Sequence, residues 1–215
     1  MGTRSRLALV ALAVVIAVLV IAVPAQAATV ASGSSQMTVS PSLTHTLLGL
    51  RITAEPVAPA TEVTKWNKTG QMYWWFRVPM AAKSGKHAST WTPSTGVGTF
   101  YHNGSLRFVN TSTSPQKVFR AEGIQVIATN RNTYSLSVSY PTAEYVNLPG
   151  TNYQRVVLAT STHAPKITHS GKSYKIDGVQ FKLTTAGRDA INSLIGVVLP
   201  TDVVLFDTNL LPVLK

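Results

Sequence analysis

The chain has no cysteine and only eight acidic residues in 215. Without cysteine there is no disulfide, Fe–S cluster, Cys nucleophile or lipid-modified cysteine. The acids are Glu55, Glu62, Glu122, Glu144, Asp177, Asp189, Asp202 and Asp207. None forms a close pair with acid/base spacing. Glycosidase carboxylates can lie far apart in sequence, so a secreted hydrolase stays as a further alternative. There is no GxSxG nucleophile elbow. SGKS at residues 170–173 has the end of a phosphate loop, but the first glycine of that motif would fall on Lys166. The five histidines, His45, His87, His102, His163 and His169, show no metal-ligand spacing with a carboxylate. No internal repeat is present.

One long apolar run exists, from Leu7 to Val23, 17 residues. It follows Arg4 and Arg6 and precedes small residues at Ala25 and Ala27, the pattern of a secretory signal cleaved after Ala27. As a helix it would reach about 25 Å at about 1.5 Å per residue, short of the ~30 Å hydrocarbon layer. Any membrane contact is therefore expected only through an uncleaved residue 1–27 segment. Removing it takes away two arginines and no acid. That leaves 188 residues with 17 basic and 8 acidic side chains, a formal +9. This length suits one domain burying about 70% of its unfolded surface. The charge favours anionic partners such as cell-wall polymers, acidic lipids or carboxylate-bearing ligands; no nucleic-acid motif accompanies it. A solvated surface is the plain alternative.

Residues 28–40 read as a flexible lead-in and 41–215 as a single domain. Ser40 and Pro41 suit the N-cap and first position of a short helix ending at Gly49. LRITAEPVAPAT is extended. Eight of the 17 aromatic residues lie between Trp66 and Tyr101. In a strand, Tyr73, Trp75 and Arg77 face one side and Met72, Trp74, Phe76 and Val78 the other. MAAKSGKHASTWTPSTG reads as a polar loop. Asn103-Gly104 signals a two-residue hairpin turn; that register puts Tyr101, Leu106 and Phe108 on the core side and His102, Phe100 and Arg107 opposite. GIQVIAT and YSLSVSY form a second hairpin. TTAGRDAINSLIG is a helix capped by Thr184 or Thr185 and stopped by Gly196, and DVVLFD is a last strand. Many short strands and two short helices argue for a mainly-β fold, an antiparallel β-sandwich or open barrel. The tryptophans either fill the core or offer a stacking platform for sugar rings or a flat ligand, with Trp74 and Trp75 the platform candidates.

The order of these motifs is similar to that of a secreted actinobacterial family related to the HtaA haem-uptake domain. The likeness rests on Gly98, His102, Gly104, Leu106 and Phe108 around VGTFYHNGSLRF, and on Leu183, Thr184, Gly187, Ala190 and Asn192 in the late helix. It spans roughly residues 41–211. The resemblance implies a non-enzymatic binding module at the cell surface with haem as the named ligand. In haem-binding members an N-terminal tyrosine is the axial ligand and the histidine matched by His102 supports it. The corresponding helix here, LTHTLLGL, holds no tyrosine; His45 is its only candidate ligand, with Tyr73 a substitute if the sheet brings it near His102. The expected site is thus His102 with Tyr101 and Arg107, the arginine pairing with a propionate or phosphate. A wall- or glycan-binding module built on Trp74 or Trp75 is the alternative reading.

Overall fold

The computed structural model describes residues 26–81, 87–142, 152–161, 163–200 and 203–215. The leader expected over residues 1–27 lies almost wholly outside them. The elements, in chain order, are β1 (Ala28–Thr38), α1 (Pro41–Gly49), β2 (Ile52–Val57), β3 (Thr61–Trp66), β4 (Met72–Pro79), β5 (Thr90–Thr92), β6 (Val97–Tyr101), β7 (Ser105–Asn110), β8 (Lys117–Ala128), β9 (Tyr134–Pro141), β10 (Tyr153–Ser161), β11 (Lys166–Ser170), β12 (Ser173–Leu183), α2 (Thr185–Ile195) and β13 (Val204–Leu214). The fold is mainly β, and the strand pairings given are antiparallel.

The pairings close on themselves. The path β12-β10-β9-β8-β6-β5-β1 is completed by β13, which pairs with both β1 and β12. Two of its seams are only two residue pairs long, Ala28↔Trp91 with Thr29↔Thr90, and Ala159↔Leu183 with Thr160↔Lys182. The sheet is thus a barrel-like enclosure with two short joins. β4 and β3 extend it beyond β1, and β2 and β7 pair along the start of β8. The interior is one apolar cluster that includes Met37, Phe76, Trp91, Phe100, Phe119, Val126, Phe181 and Phe206.

Three expectations change. Residues 28–38 are not a flexible lead-in but a central strand, paired to β13 on one side and to β4 and β5 on the other. Its alternation is weak in sequence because half its buried positions are small and polar: Ser34 and Ser35 lie inside beside Val30 and Met37. The polar loop contains β5, where Trp91 is fully buried; flanking threonines and the short length hide a strand of three residues.

The third change concerns Asn103-Gly104. β6 and β7 do not pair with each other. Both run antiparallel to β8 in almost the same register, Gly98↔Ala128 to Tyr101↔Gln125, then Leu106↔Ala121 to Asn110↔Lys117. The chain passes straight on, kinked, opposite the irregularity at Gly123 in β8. A type I′ hairpin turn needs positive φ at both central residues. Only Gly104 has it, at 95°, and a Cβ there would sit 2.7 Å from the Ala60 nitrogen. The kink resets the alternation, so Phe100 turns inward, not outward, and Tyr101 is only half-buried.

The other elements follow the sequence. Ser40 caps α1, its Oγ accepting from the Leu43 nitrogen at 3.2 Å. Thr184 caps α2 through the Gly187 nitrogen at 2.9 Å, and Gly196 ends it at φ 70°. Trp74, Phe76 and Val78 are buried while Arg77 is exposed. β8 and β9 form the expected hairpin. SGKS is the tight turn between β11 and β12.

Candidate ligand site

His102 does not stand on a wet surface. It is buried, and its ring points to β1, where Nε2 lies 2.6 Å from the Ser35 hydroxyl. Nδ1 is 3.3 Å from the Ile124 carbonyl oxygen. A carbonyl only accepts, so Nδ1 carries the proton and Nε2 accepts from Ser35. Burial pushes the imidazole pKa down to about 4, partly opposed by the Ile124 and Phe100 backbone hydrogen bonds. The ring is neutral near pH 7, and both nitrogens are used. His102 therefore ties the kink to the central strand.

The residues expected beside it are dispersed. Tyr101 is half-buried with its ring edge-on to His87 at 5.4 Å. Arg107 is exposed on β7 and bound to Glu55 of β2, Nε and Nη2 at 2.7 and 2.6 Å. Tyr73 sits near the start of β4, seven residues from Met80, which bridges to His102; that is about 23 Å along the strand at about 3.3 Å per residue. It does not substitute as a partner of His102. Trp74 is buried and Trp75 is half-buried under the Lys65 ammonium, 4.2 Å from its ring centroid. Trp74 is thus closed to a sugar, and Lys65 occupies one face of Trp75.

His45 is different. Pro41, Thr44, His45 and Leu48 follow the i, i+3, i+4, i+7 spacing that makes one stripe of a helix, and this stripe forms one wall of a cleft of about 400 Å³. The opposite wall is the end of the β3–β4 hairpin: Trp66, Gly70, Gln71 and Met72. The hairpin turn is held by Asn67, whose Oδ1 accepts from the nitrogens of Thr69 and Gln71 at 3.0 and 2.8 Å and whose Nδ2 donates to Gln71 Oε1 at 3.0 Å. This fixes Trp66 at the rim with 68% of its surface exposed. His45 is exposed and has no hydrogen-bond partner among the described residues. Thr44 is fully buried in the cleft wall, and its hydroxyl has no partner either. A large indole left open by a rigid turn, lining the same largely apolar groove as an imidazole, suits a flat ligand. Trp66 was legible as a signal: a bulky aromatic placed directly before the Asn-Lys-Thr-Gly turn.

Among the described residues no three His, Asp or Glu side chains come together to hold a metal ion. The fold brings Asp177 near Asp207, whose carboxyl is pushed up chiefly by burial and then by the Asp177 charge. Asp177 is itself bound to Lys175 at 2.7 Å.

No known protein-family model matches the sequence. No curated protein matches it significantly. Among solved structures, the C-terminal domain of HtaA from Corynebacterium glutamicum is similar, with a TM-score of 0.56 over 87% of this chain and 99% of that one, at 14% identity. The chain therefore has an HtaA-like fold, as the sequence resemblance implied. Among the described residues no helix is long and apolar enough to cross a membrane.

Proposed function

We propose that the chain is a secreted, cell-surface binding module without enzymatic activity, and that the cleft between α1 and the β3–β4 turn takes a flat ligand, with haem the named candidate. The observation that carries this is that exposed Trp66 and unpartnered His45 line one groove of about 400 Å³, within the ordinary range of small-ligand sites. Trp66 would stack on the ring system. His45 would offer an imidazole nitrogen, a common donor to haem iron, where the family resemblance implies a tyrosine. The net positive charge favours the carboxylates of such a ligand. His102 has no part in this arrangement, because Ser35 and Ile124 occupy it.

A sugar ring would also stack on Trp66, so the glycan-binding reading moves from Trp74 and Trp75 to that residue. His45 separates the two. Haemin titrated into the purified protein should give a saturable Soret shift. Trp66→Ala should weaken binding about tenfold, the worth of about 1.4 kcal/mol, and His45→Ala should change the band itself. A spectrum identical to free haemin, or a band unaltered by His45→Ala, rejects haem at this site. Saturable binding of wall polysaccharide that needs Trp66 but not His45 would select the glycan reading.

A further inference from the structure

The cleft between α1 and the β3–β4 hairpin holds a donor atom besides those of His45. Met72 lines it too, on the hairpin wall. It stands directly opposite Trp66 in the β3–β4 ladder, so the two side chains share a face with Cβ atoms about 5 Å apart. Trp74, two residues on, lies on that same face. It is buried in the apolar cluster that also takes in Leu43 and Leu47 of α1. This is therefore the face that α1 covers, and Met72 is half-buried at its margin. Met37 and Met80 are instead sealed in the core. The rest of the hairpin wall has no free donor for a metal ion. The Trp66 indole N–H only donates, Gly70 has no side chain, and Gln71 Oε1 already accepts from Asn67 Nδ2 at 3.0 Å. The thioether sulfur of Met72 is the wall's soft ligand atom.

We propose, resting on the haem reading above, that Met72 is the second axial ligand, so that the iron is held between the His45 imidazole from α1 and the thioether from the hairpin. Trp66 then stacks beside the sulfur on the same side of the ring. The consequence is a preference for one oxidation state. Imidazole and thioether are both neutral and the sulfur is soft, so together they favour ferrous iron and raise its reduction potential. The tyrosine that the family resemblance implies is an anionic oxygen donor and favours ferric iron. This chain thus departs from that pattern in the state of the haem it holds, and not only in the residue that holds it.

The test is a haemin titration of the wild type, Met72→Leu, Met72→His and His45→Ala, with absorbance read in the ferric state and after dithionite, followed by a redox titration. The wild type should be six-coordinate and low-spin in both states, with a weak far-red sulfur-to-iron charge-transfer band in the ferric form. Met72→Leu nearly conserves volume and so keeps the packing. It should abolish that band, turn the ferrous iron high-spin, and cut the preference for ferrous over ferric haem at least tenfold, read as a reduction potential lower by about 59 mV or more. Met72→His should restore a low-spin spectrum without the sulfur band, a rescue that a methionine serving only to pack would not show. Saturable binding that needs His45 but has the same bands, spin state and potential in Met72→Leu overturns this inference and leaves the haem reading standing. A wild type without a saturable Soret shift overturns both.

Discussion

Acidification should cost this protein stability through one buried imidazole. His102 has its pKa held at about 4 by burial, against an ordinary 6.5. The unfolded chain therefore binds this proton at a higher pH than the folded chain does. Stability rises with pH wherever the unfolded state holds more protons. The contribution is fully present above pH 6.5 and is lost as pH falls from there towards 4. At about 1.4 kcal/mol per pH unit, the full loss is about 3 kcal/mol, a large fraction of a typical domain's stability. Asp207 acts in the opposite sense, because its raised pKa makes the folded state hold a proton; it is common to wild type and variant and cancels in their comparison. Urea unfolding of wild type and His102→Asn at several pH values between 7 and 4 gives the difference. The wild type should lose about 3 kcal/mol more than the variant over this range. Slope is the readout, so a variant that starts less stable remains informative. NMR of the folded wild type provides a direct check: the His102 ring should stay neutral at pH 5, with the proton on Nδ1. Equal pH slopes, or an imidazole titrating near 6.5, would refute the reading of His102 as an interior residue locked to Ser35.

Two further substitutions test the packing. Gly187 lies in α2, where Gly→Ala would ordinarily stabilise a helix by up to about 1 kcal/mol. Here the added methyl would run into the Leu158 backbone carbonyl of β10, so Gly187→Ala should instead destabilise by about 2 kcal/mol and lower Tm by about 5 °C; a stabilised variant would show that α2 does not sit on β10 this closely. Arg107→Ala should change stability by less than about 1 kcal/mol, because its pair with Glu55 is exposed. A larger loss in thermal unfolding, or loss of ligand binding, would contradict its placement on an open surface.

Local chemistry was legible wherever it acts over a few residues. Ser40 with Pro41 marks the start of α1, and Thr184 with Gly196 both ends of α2, because capping satisfies backbone groups within one turn. The alternation of Trp74, Phe76 and Val78 with Arg77 marks a two-faced strand because the pleat itself sets that period. Asn103-Gly104 shows where this reasoning stops. The dipeptide announces a positive φ but does not say whether the chain reverses or only kinks, since β8 supplies partners for both halves of a straight-through path. The absence of cysteine, the basic balance and the mainly-β class belong to the sequence alone, because composition and short-range pattern suffice for them. The inward turn of His102, the central place of β1 and the meeting of His45 with Trp66 belong to the tertiary structure. Each depends on contacts between segments whose separation along the chain no local periodicity encodes.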